Sequence, residues 1–483
     1  MSPARRGGVL VVVGDALLDR DLVGRVDRLA PDAPVPVVDD LSQHARPGGA
    51  GLAALLAAAD GREVVLVTAL GGDEAGLELR ALLDRAGIAV VDLGLHGPTP
   101  QKLRVRCDDR SLLRLDAGGR EPARVGGATA QAIAALRRAA AVLVADYGRG
   151  VAADERLRSA LTRLPHRTPV VWDPHVRGPQ PVSRITLATP NAAEARALAG
   201  EPPGVVAGEG LAAVTARARE LRERWSATGV SVTLGARGAL LVGGDGYPLV
   251  VPAPPVLALD ACGAGDRFAS AAAGLLADGA LPSEAVAGAV AAASAFVAAG
   301  GAAAVRVERA RAAPPPAATG GVTGAVAGGR RPVPTPAEVV TAARAAGGTV
   351  VATGGCFDLL HAGHVALLEA ARRLGDCLVV CLNSDASVRR LKGPGRPLTP
   401  EPDRAAVLRA LGCVDTVVVF DEDTPEAVLE RIQPDIWAKG GDYAVGDLPE
   451  ARILRRWGGQ TVILPYLQGR STTALMKEAA RRG

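Results

Sequence analysis

Short runs of β-branched residues alternate with segments rich in alanine, leucine and arginine along almost the whole chain. Examples are VLVVVGD at 9–15, EVVLVTALG at 63–71, TVVATGG at 349–355 and CLVVCLNSD at 377–385. Because each run is largely apolar, it is typical of a strand that is buried on both faces of a parallel sheet. Helical segments between such strands cover the two faces, so the sequence predicts α/β architecture.

One segment interrupts this alternation. From about 306 to 336 the chain is rich in proline, glycine and alanine and lacks sustained periodicity, which is typical of an interdomain linker. A chain of 483 residues is also too long for one ordinary domain. We therefore predict a first domain over 1–305, a linker over 306–336 and a second domain over 337–483. No internal repeat relates the two domains, so we expect two different folds.

Composition and charge exclude several classes of protein. The net charge is +4 without long basic runs, which does not favour nucleic-acid binding. The apolar run VLVVV near the N-terminus is shorter than the roughly 7–15 residues of a secretory signal, and no stretch approaches the roughly 20 of a membrane span. The six cysteines form no Cys-x-x-Cys pair, which is consistent with reduced thiols. We expect a cytoplasmic protein without nucleic-acid or membrane partners.

The strongest motif of the first part is LDACGAGDRFASAAAGLLADG. A turn of small residues, Gly263, Ala264 and Gly265, leads into an alanine-rich helix, where backbone amides and the helix N-terminus can bind an anion. Asp266 lies at the same helix start and could take a proton from a hydroxyl that attacks a phosphoryl group. The alternative interpretation is a glycine-rich turn that Asp266 merely caps.

Other polar residues of the first part follow predicted strands. Asp15 and Asp19 lie just past the first strand, at the sheet edge where open α/β sheets bind ligands. The pair Gly48 and Gly49 precedes a helix and would let the backbone approach a sugar closely.

Two further groups of polar residues have alternative interpretations. Asn191 and Glu194 are spaced to share one face of a helix start, where they could hold hydrated Mg²⁺ or phosphate of a nucleotide. In QKLRVR the cations Lys102, Arg104 and Arg106 share one strand face. That face is either a solvated edge strand or a clamp on a phosphate that the sugar already carries.

The first part resembles the ribokinase-like (PfkB) carbohydrate kinases over about residues 8–305, since the Gly-Gly segment, Asn-x-x-Glu and Gly-Ala-Gly-Asp occur in the family's order. The resemblance implies a doubly wound sheet with a small β-lid, here about 20–45 and 95–116, which often forms a dimer interface. It implies ATP and Mg²⁺ as well. The site residues that it implies are Asp266 as catalytic base, Gly263, Ala264 and Gly265 as anion hole, and Asp15, Asp19, Gly48 and Gly49 around the sugar.

The second part contains two histidines, His361 and His364, between a predicted strand and a predicted helix. A metal site would need further ligands, and the helical segment that adjoins the pair supplies neither a cysteine nor another histidine. Core packing is also disfavoured, because a polar pair at a strand-to-helix turn faces the ligand crevice. The pair therefore indicates phosphate chemistry, in which the imidazoles stabilise charge on a triphosphate as pyrophosphate leaves. Gly354, Gly355 and Gly363 keep the backbone open for a nucleotide.

Downstream residues agree with a triphosphate site. Lys392 and Arg396 lie in a basic loop that could reach phosphates, and Lys439 follows a predicted strand. The hydroxyls of Ser471, Thr472 and Thr473 lie at a predicted helix start. One of them is explained as an ordinary N-cap, and a bound phosphate would use the others.

The second part resembles the cytidylyltransferase-like nucleotidyltransferases over about 348–480, with His-x-Gly-His at 361–364. The family has a Rossmann-like fold and transfers a nucleotidyl group with release of pyrophosphate. The resemblance implies His361 and His364 as catalytic residues. It places the following residues at the nucleotide: Gly354, Phe357, Lys392, Arg396, Lys439, Ser471, Thr472 and Thr473.

Longer strings in both parts, such as GDALLDRDLVGRVDRLAPDAPVPVV and NSDASVRRLKGPGRPL, resemble one family of fused enzymes. These are the bifunctional D-glycero-β-D-manno-heptose 7-phosphate kinase / heptose 1-phosphate adenylyltransferases. The resemblance implies phosphorylation of heptose 7-phosphate at O1 and adenylyl transfer to heptose 1-phosphate, with ATP as substrate of both steps. The alternatives are the same two reactions on another sugar phosphate or nucleotide, or one inactive domain. The chain departs from the family pattern at Cys262, Arg267 and His175.

Overall fold

The structure is a computed structural model that describes residues 8–107, 110–118, 124–200, 210–244, 246–256, 260–306, 334–441 and 448–465. The chain separates into two compact units, one of Met1–Gly244 with Ala253–Ala313 and the other of Asp245–Pro252 with Pro314–Gly483. Most of the predicted linker, residues 307–333, lies outside the described residues. The boundaries at 305 and 337 therefore remain predictions.

The first unit is built from a large sheet with helices and from a smaller second sheet. Its strands are β1 (Val9–Gly14), β2 (Ala16–Leu29), β3 (Pro36–Gly49), β4 (Glu63–Thr68), β5 (Ala89–Asp92), β6 (Leu95–His96), β7 (Gln101–Cys107), β8 (Arg110–Ala117), β9 (Arg124–Val125), β10 (Ala139–Ala145), β11 (Val170–Asp173), β12 (Leu187–Ala188), β13 (Gly229–Thr233) and β14 (Ala239–Gly243). Its helices are α1 (Ala50–Ala59), α2 (Glu74–Arg85), α3 (Ala130–Arg138), α4 (Glu155–Thr162), α5 (Ala192–Ala199), α6 (Leu211–Trp225), α7 (Ala264–Ala277) and α8 (Pro282–Ala298).

The large sheet of the first unit confirms the predicted α/β class. Its order is β14-β13-β12-β11-β10-β1-β4-β5, and β10, β1 and β4 are parallel neighbours. The apolar run of β1 is fully buried, which is the reason that it lacks the alternation of a half-exposed strand. Helices α1 and α7 consist mostly of alanine, glycine and leucine, and such small residues allow helices to lie close to the sheet.

The smaller sheet has the order β3-β2-β7-β8 and corresponds to the β-lid that the resemblance implied. The long strands β2 and β3 are buried where they leave the large sheet and exposed at their far ends. At the buried end, Arg46 forms a two-pronged hydrogen bond with Asp21, with distances of 2.6 and 3.3 Å. Both side chains are almost completely buried, so each charge depends on the other for compensation.

The strands of the second unit are hydrogen-bonded in the order β18-β17-β16-β19-β20-β15. Its strands are β15 (Leu249–Val251), β16 (Val350–Gly355), β17 (Cys377–Asn383), β18 (Thr416–Phe420), β19 (Ile436–Gly440) and β20 (Gln460–Leu464). Its helices are α9 (Pro336–Ala345), α10 (Ala362–Arg372), α11 (Asp385–Lys392), α12 (Glu401–Arg409), α13 (Glu426–Ile432) and α14 (Pro449–Leu454). The strands from β16 to β20 pair in parallel, as their continuous apolar runs predict.

Among the described residues, no helix has both the length and the apolar character that a membrane crossing requires.

Replacing Asp21 by asparagine should lower the free energy of unfolding of the first unit by about 3 kcal/mol, because Arg46 would remain buried without a counter-charge. Chemical denaturation followed by circular dichroism measures this loss. The matched control is Asp39→Asn, which removes an exposed ion pair with Arg28 between the same two strands. The control should change stability by less than about 1 kcal/mol. Equal losses in the two variants would contradict the importance of burial.

Candidate active sites

Three carboxylates meet at one edge of the first unit because parallel strands end there together. Gly14 of β1 pairs with Ala145 of β10, and Ala145 pairs with Asp173 of β11. Asp15 and Asp146 follow directly after β1 and β10. The carboxyl edge of such a sheet is the usual place for a ligand.

Asp15 uses both carboxylate oxygens to hold the loop after β10. Its Oδ2 accepts hydrogen bonds from the amides of Tyr147 at 3.1 Å and Arg149 at 3.0 Å, and its Oδ1 accepts one from Val151 at 3.0 Å. The carboxylate is buried. The structure therefore assigns Asp15 an observed role in shaping the site, while the predicted contact with the sugar stays a prediction.

Asp266 lies in the first turn of α7 and is buried. Its Oδ1 accepts a hydrogen bond from the hydroxyl of Tyr147 at 2.7 Å. Burial raises the pKa of Asp266 to about 7, although the Tyr147 hydrogen bond opposes the rise. A carboxylate whose pKa lies near neutral pH is suited to accept a proton from a substrate hydroxyl.

The small residues before Asp266 differ in the space that surrounds them. Gly263 caps α7 with φ +80°, and a Cβ there would lie 2.8 Å from Leu52 Cδ2. A Cβ on Gly265 would meet nothing within 4 Å, so this position borders open space. The amide of Ala264 donates to Ala261 O at 3.2 Å inside the turn. The predicted anion hole is thus most open at Gly265, where the first helical amides lack intrahelical acceptors.

The predicted sugar-binding residues lie together at the base of the lid. Arg104 Nη1 donates to Asp19 at 3.1 Å, and its Nη2 lies 3.3 Å from Cys262 Sγ. A Cβ on Gly48 would lie 2.6 Å from Asp19 Oδ2, so only glycine allows the strand to pass this carboxylate. Lys102 Nζ lies 5.5 Å from the centre of the Tyr147 ring.

Gly49 fits the predicted close approach of the backbone. It caps α1 with φ +59°, and a Cβ there would lie 2.5 Å from Asp15 O. Its Cα therefore has no room for a side chain, and its φ favours glycine.

Asn191 and Glu194 form a capping box at the start of α5, in which each side chain accepts a hydrogen bond from the other's amide at 2.9 Å. Burial raises the pKa of Glu194. Burial also raises the pKa of Asp146 to about 7, with help from the charges of Asp15 and Glu194. Asp146 Oδ2 is buried and lacks a hydrogen-bond partner. Such a set of carboxylates fits a hydrated divalent cation, because Mg²⁺ usually keeps several of its waters.

Among the described residues, no group of three or more His, Cys, Asp or Glu side chains is arranged as a direct metal site.

The departures from the family pattern have clear positions. Arg267 points away from Asp266 and forms two hydrogen bonds with Asp60, at 2.6 and 3.0 Å. His175 Nδ1 accepts a hydrogen bond from the Arg177 amide at 3.1 Å, and burial lowers the pKa of His175. Arg267 therefore joins α7 to the end of α1.

In the second unit, His361 and His364 form one stacked pair at the start of α10. Their ring centroids are 3.9 Å apart. His361 caps the helix and accepts a hydrogen bond on Nδ1 from the Gly363 amide at 3.1 Å. His364 Nδ1 accepts one from the His361 amide at 3.4 Å. Because Nδ1 is the acceptor in both rings, Nε2 is the protonated nitrogen that can donate to a phosphate.

Burial lowers the pKa of His364 to about 4, and the charges of His361 and Lys392 contribute to this shift. His364 is therefore neutral near pH 7, and its Nε2–H is available as a hydrogen-bond donor. Phe357, with φ +45°, packs its buried ring 5.4 Å from that of His364. A Cβ on Gly354 would lie 2.6 Å from Trp437, so both predicted residues shape the floor of this site.

The basic loop before α12 is held against the histidine turn by Asp358. This buried carboxylate accepts hydrogen bonds from the amides of Leu398 at 3.0 Å and Thr399 at 3.1 Å. It also lies 3.2 Å from Arg396 Nε. Arg404 strengthens the same junction by donating to Cys356 O at 2.6 Å. Arg396 is thereby placed beside the histidine turn, as the phosphate hypothesis requires.

The other predicted phosphate ligands differ in their placement. Lys392 ends α11 on an exposed surface. Lys439 forms an ion pair of 2.8 Å with the buried Glu450, so a phosphate would compete with that carboxylate. Ser471, Thr472 and Thr473 lie outside the described residues.

Sequence reasoning missed several residues that organise the sites. They are Tyr147, Asp146, Asp358 and Arg404. Tyr147 and Asp146 belong to DYGRG, whose polar residues directly follow a buried strand and are flanked by glycine. That position was the available signal. For Arg404 the local sequence gives no such signal, since its partners Cys356, Asn383 and Asp385 are distant in sequence.

Comparisons with known proteins agree with this architecture. The family model for pfkB family carbohydrate kinases matches residues 9–309, and the cytidylyltransferase-like model matches 352–475. The bifunctional protein HldE of Streptomyces coelicolor is 58% identical over 98% of this chain and 96% of its own length. HldE of Azorhizobium caulinodans is 39% identical over 97% of this chain and 98% of its own length. The chain belongs to the HldE family. The family membership confirms the two predicted folds and both predicted classes of enzyme, a carbohydrate kinase and a nucleotidyltransferase.

The stability of the Asp266→Asn variant relative to the wild type should increase progressively as pH rises from about 4 to about 7. The folded pKa of Asp266 is about 7 and the ordinary value is 3.8. Between these values the unfolded chain has already released the proton that the folded wild type still holds, so the wild type becomes less stable as pH rises. Asparagine does not titrate. Thermal unfolding midpoints at pH 4.5, 6 and 8 measure the difference. The exposed control Asp60→Asn should not gain relative stability with pH, and a constant difference for Asp266→Asn would contradict the raised pKa.

Proposed function

We propose that this chain catalyses two of the reactions that produce ADP-D-glycero-β-D-manno-heptose. The first domain transfers a phosphoryl group from ATP to O1 of D-glycero-β-D-manno-heptose 7-phosphate. After a separate phosphatase removes the 7-phosphate, the second domain transfers AMP from ATP to heptose 1-phosphate. The observation that carries this proposal is the near full-length similarity to bifunctional HldE proteins. The buried Asp266 at a helix start and the stacked pair His361 and His364 support it.

In the kinase step, Asp266 accepts the proton of the O1 hydroxyl while O1 attacks the γ-phosphorus of ATP. The O1–P bond forms, the bond to the bridging oxygen breaks, and ADP leaves. The open turn at Gly265 offers amides and the helix N-terminus to the negative charge of the transferred group. Asp266 is buried, so its carboxylate is shielded from bulk water.

Lys102 and Arg104 are the proposed ligands of the 7-phosphate. Both project from β7 at the base of the lid, and Arg104 is oriented by Asp19. A phosphate would add charge-assisted hydrogen bonds to this pair. Asn191 and Glu194 would hold Mg²⁺ through water, and the ion would neutralise charge on the nucleotide phosphates.

In the adenylyl-transfer step, a phosphate oxygen of heptose 1-phosphate attacks the α-phosphorus of ATP and pyrophosphate leaves. The Nε2–H groups of His361 and His364 stabilise the charge on the phosphates. Because His364 is neutral near pH 7, it can do so without gaining or losing a proton. Arg396, Lys392 and Lys439 supply the positive charge that the leaving pyrophosphate requires.

The direct assay combines the protein, ATP, heptose 7-phosphate and the phosphatase, with ADP-heptose detected by mass spectrometry. Formation of ADP-heptose supports the proposal. Turnover of a different sugar phosphate, without a product from heptose 7-phosphate, would instead favour the same two reactions on another substrate.

Single substitutions should separate the two activities. Asp266→Asn removes the base and should lower the kinase rate by about 10²–10⁴-fold while leaving adenylyl transfer within about twofold. His364→Ala should have the reverse effect, because it removes a donor to the phosphates. Each activity is measured separately, with heptose 7-phosphate or heptose 1-phosphate as substrate. Loss of both activities in each variant would contradict independent catalytic domains.

We also propose that the protein is a cytoplasmic homodimer formed through the lid. ATP is a substrate of both steps, which favours that compartment. On β7 and β8, side chains alternate between the two faces of the lid. One face carries Lys102 and Arg104, and the other carries Leu103, Leu113 and Leu115, the last two more than 50% exposed. An apolar face opposite the site is suited to contact a second copy.

Leu113→Glu should shift the protein from dimer to monomer, because it places a charge in the apolar contact. Size-exclusion chromatography with light scattering measures the mass. The control Leu281→Glu changes an equally exposed leucine outside the lid and should leave the mass unchanged. A dimer that persists in Leu113→Glu would place the interface elsewhere.

A further inference from the structure

Tyr147 connects the two sides of the kinase site. It is the second residue after β10 and belongs to the loop that Asp15 holds. Its hydroxyl donates to Asp266 Oδ1 at 2.7 Å. This bond engages Oδ1 and leaves Oδ2 as the oxygen for a substrate hydroxyl. A single residue therefore joins the anchor of the loop to the proposed base.

The ring of Tyr147 is held from several directions. Its own amide donates to Asp15 at 3.1 Å, and the next amide, of Gly148, donates to Asp146 at 2.8 Å. Lys102 Nζ lies over the ring, 5.5 Å from its centre, where a cation is attracted to the aromatic face. These contacts restrict both the backbone and the ring, so the hydroxyl has a defined position.

The charges around the hydroxyl favour its role as a donor. Asp266 faces Asp19 from β2, Lys102 from β7, Tyr147 from the loop after β10 and Asp173 from the end of β11. Tyr147 also faces Asp173 at the end of β11. Burial raises the pKa of Tyr147 well above its ordinary value, and the Asp266 charge raises it further. The phenol therefore stays protonated and donates throughout the reaction.

We propose that Tyr147 is a positioning residue of the kinase reaction, which orients Asp266 through Oδ1 so that Oδ2 meets the sugar hydroxyl. This inference rests on the proposed role of Asp266 as the base. A hydrogen bond to the carboxylate also stabilises its charged form over its protonated form. Tyr147 thus keeps a deeply buried acid available as a base near neutral pH.

The test is the pH dependence of Tyr147→Phe, which removes only the hydroxyl. We expect the acid limb of kcat for O1 phosphorylation to move upward by about one pH unit. At pH 7 kcat should fall about fivefold, with KM for the sugar phosphate changed less than about threefold. Above the shifted limb, kcat should largely recover. A residue with only a structural role would lower activity equally at all pH values.

Three controls make the outcome decisive. Tyr247→Phe removes a hydroxyl in the second unit and should leave the kinase profile unchanged. The thermal unfolding midpoint of the first unit in Tyr147→Phe reports whether that unit is folded, and adenylyl transfer by the same preparation reports only on the second domain. An infrared titration of the Asp266 carboxyl, identified by its absence in Asp266→Asn, follows ionisation without turnover. It should show the same upward shift in Tyr147→Phe, and it remains informative if turnover is too slow to measure.

An unshifted acid limb together with an unshifted infrared titration would overturn the inference about Tyr147. If Asp266→Asn retained full kinase activity, the role of Asp266 itself would fail. The two failures are therefore distinguishable.

Discussion

The kinase site depends on one buried carboxylate that holds a loop by its backbone. Asp15 accepts hydrogen bonds from three amides of the segment 147–151, and so joins the end of β1 to the residues that follow β10. Three donors on one carboxylate compensate the desolvation of its charge. Because the loop is fixed in this way, Tyr147 reaches Asp266. Gly49 lies against the backbone oxygen of Asp15, where no side chain would fit.

In the second domain a buried carboxylate also holds a loop by its backbone amides. Asp358 accepts hydrogen bonds from the amides of Leu398 and Thr399, and Arg404 donates to carbonyls at the ends of β16 and β17. Both side chains are nearly inaccessible to solvent. The histidine turn and the basic loop therefore share one buried polar junction, and Arg396 is positioned as a consequence.

The predictable part of each site follows from local chemistry. Asp266 at a helix start and the two histidines between a strand and a helix were predicted as site residues because strand ends and helix N-termini bind phosphate. The partners of the charged residues were not predictable in the same way. Arg104 was expected to be a phosphate ligand and is also bonded to Asp19, and Lys439 is also paired with Glu450. Asn191 and Glu194 were expected at Mg²⁺ and also cap α5.

The sequence by itself determined the α/β class, the two families of fold and the short motifs of both sites. Those features follow from the period of apolar residues and from residues adjacent in the chain. Only the tertiary structure decided which residues distant in sequence form hydrogen bonds with the residues of these motifs. Tyr147 and Asp266 are separated by 119 positions, and Asp358 and Leu398 by 40. Such pairs meet only after the sheets have brought strand ends together, and burial then sets the pKa values of Asp266 and His364.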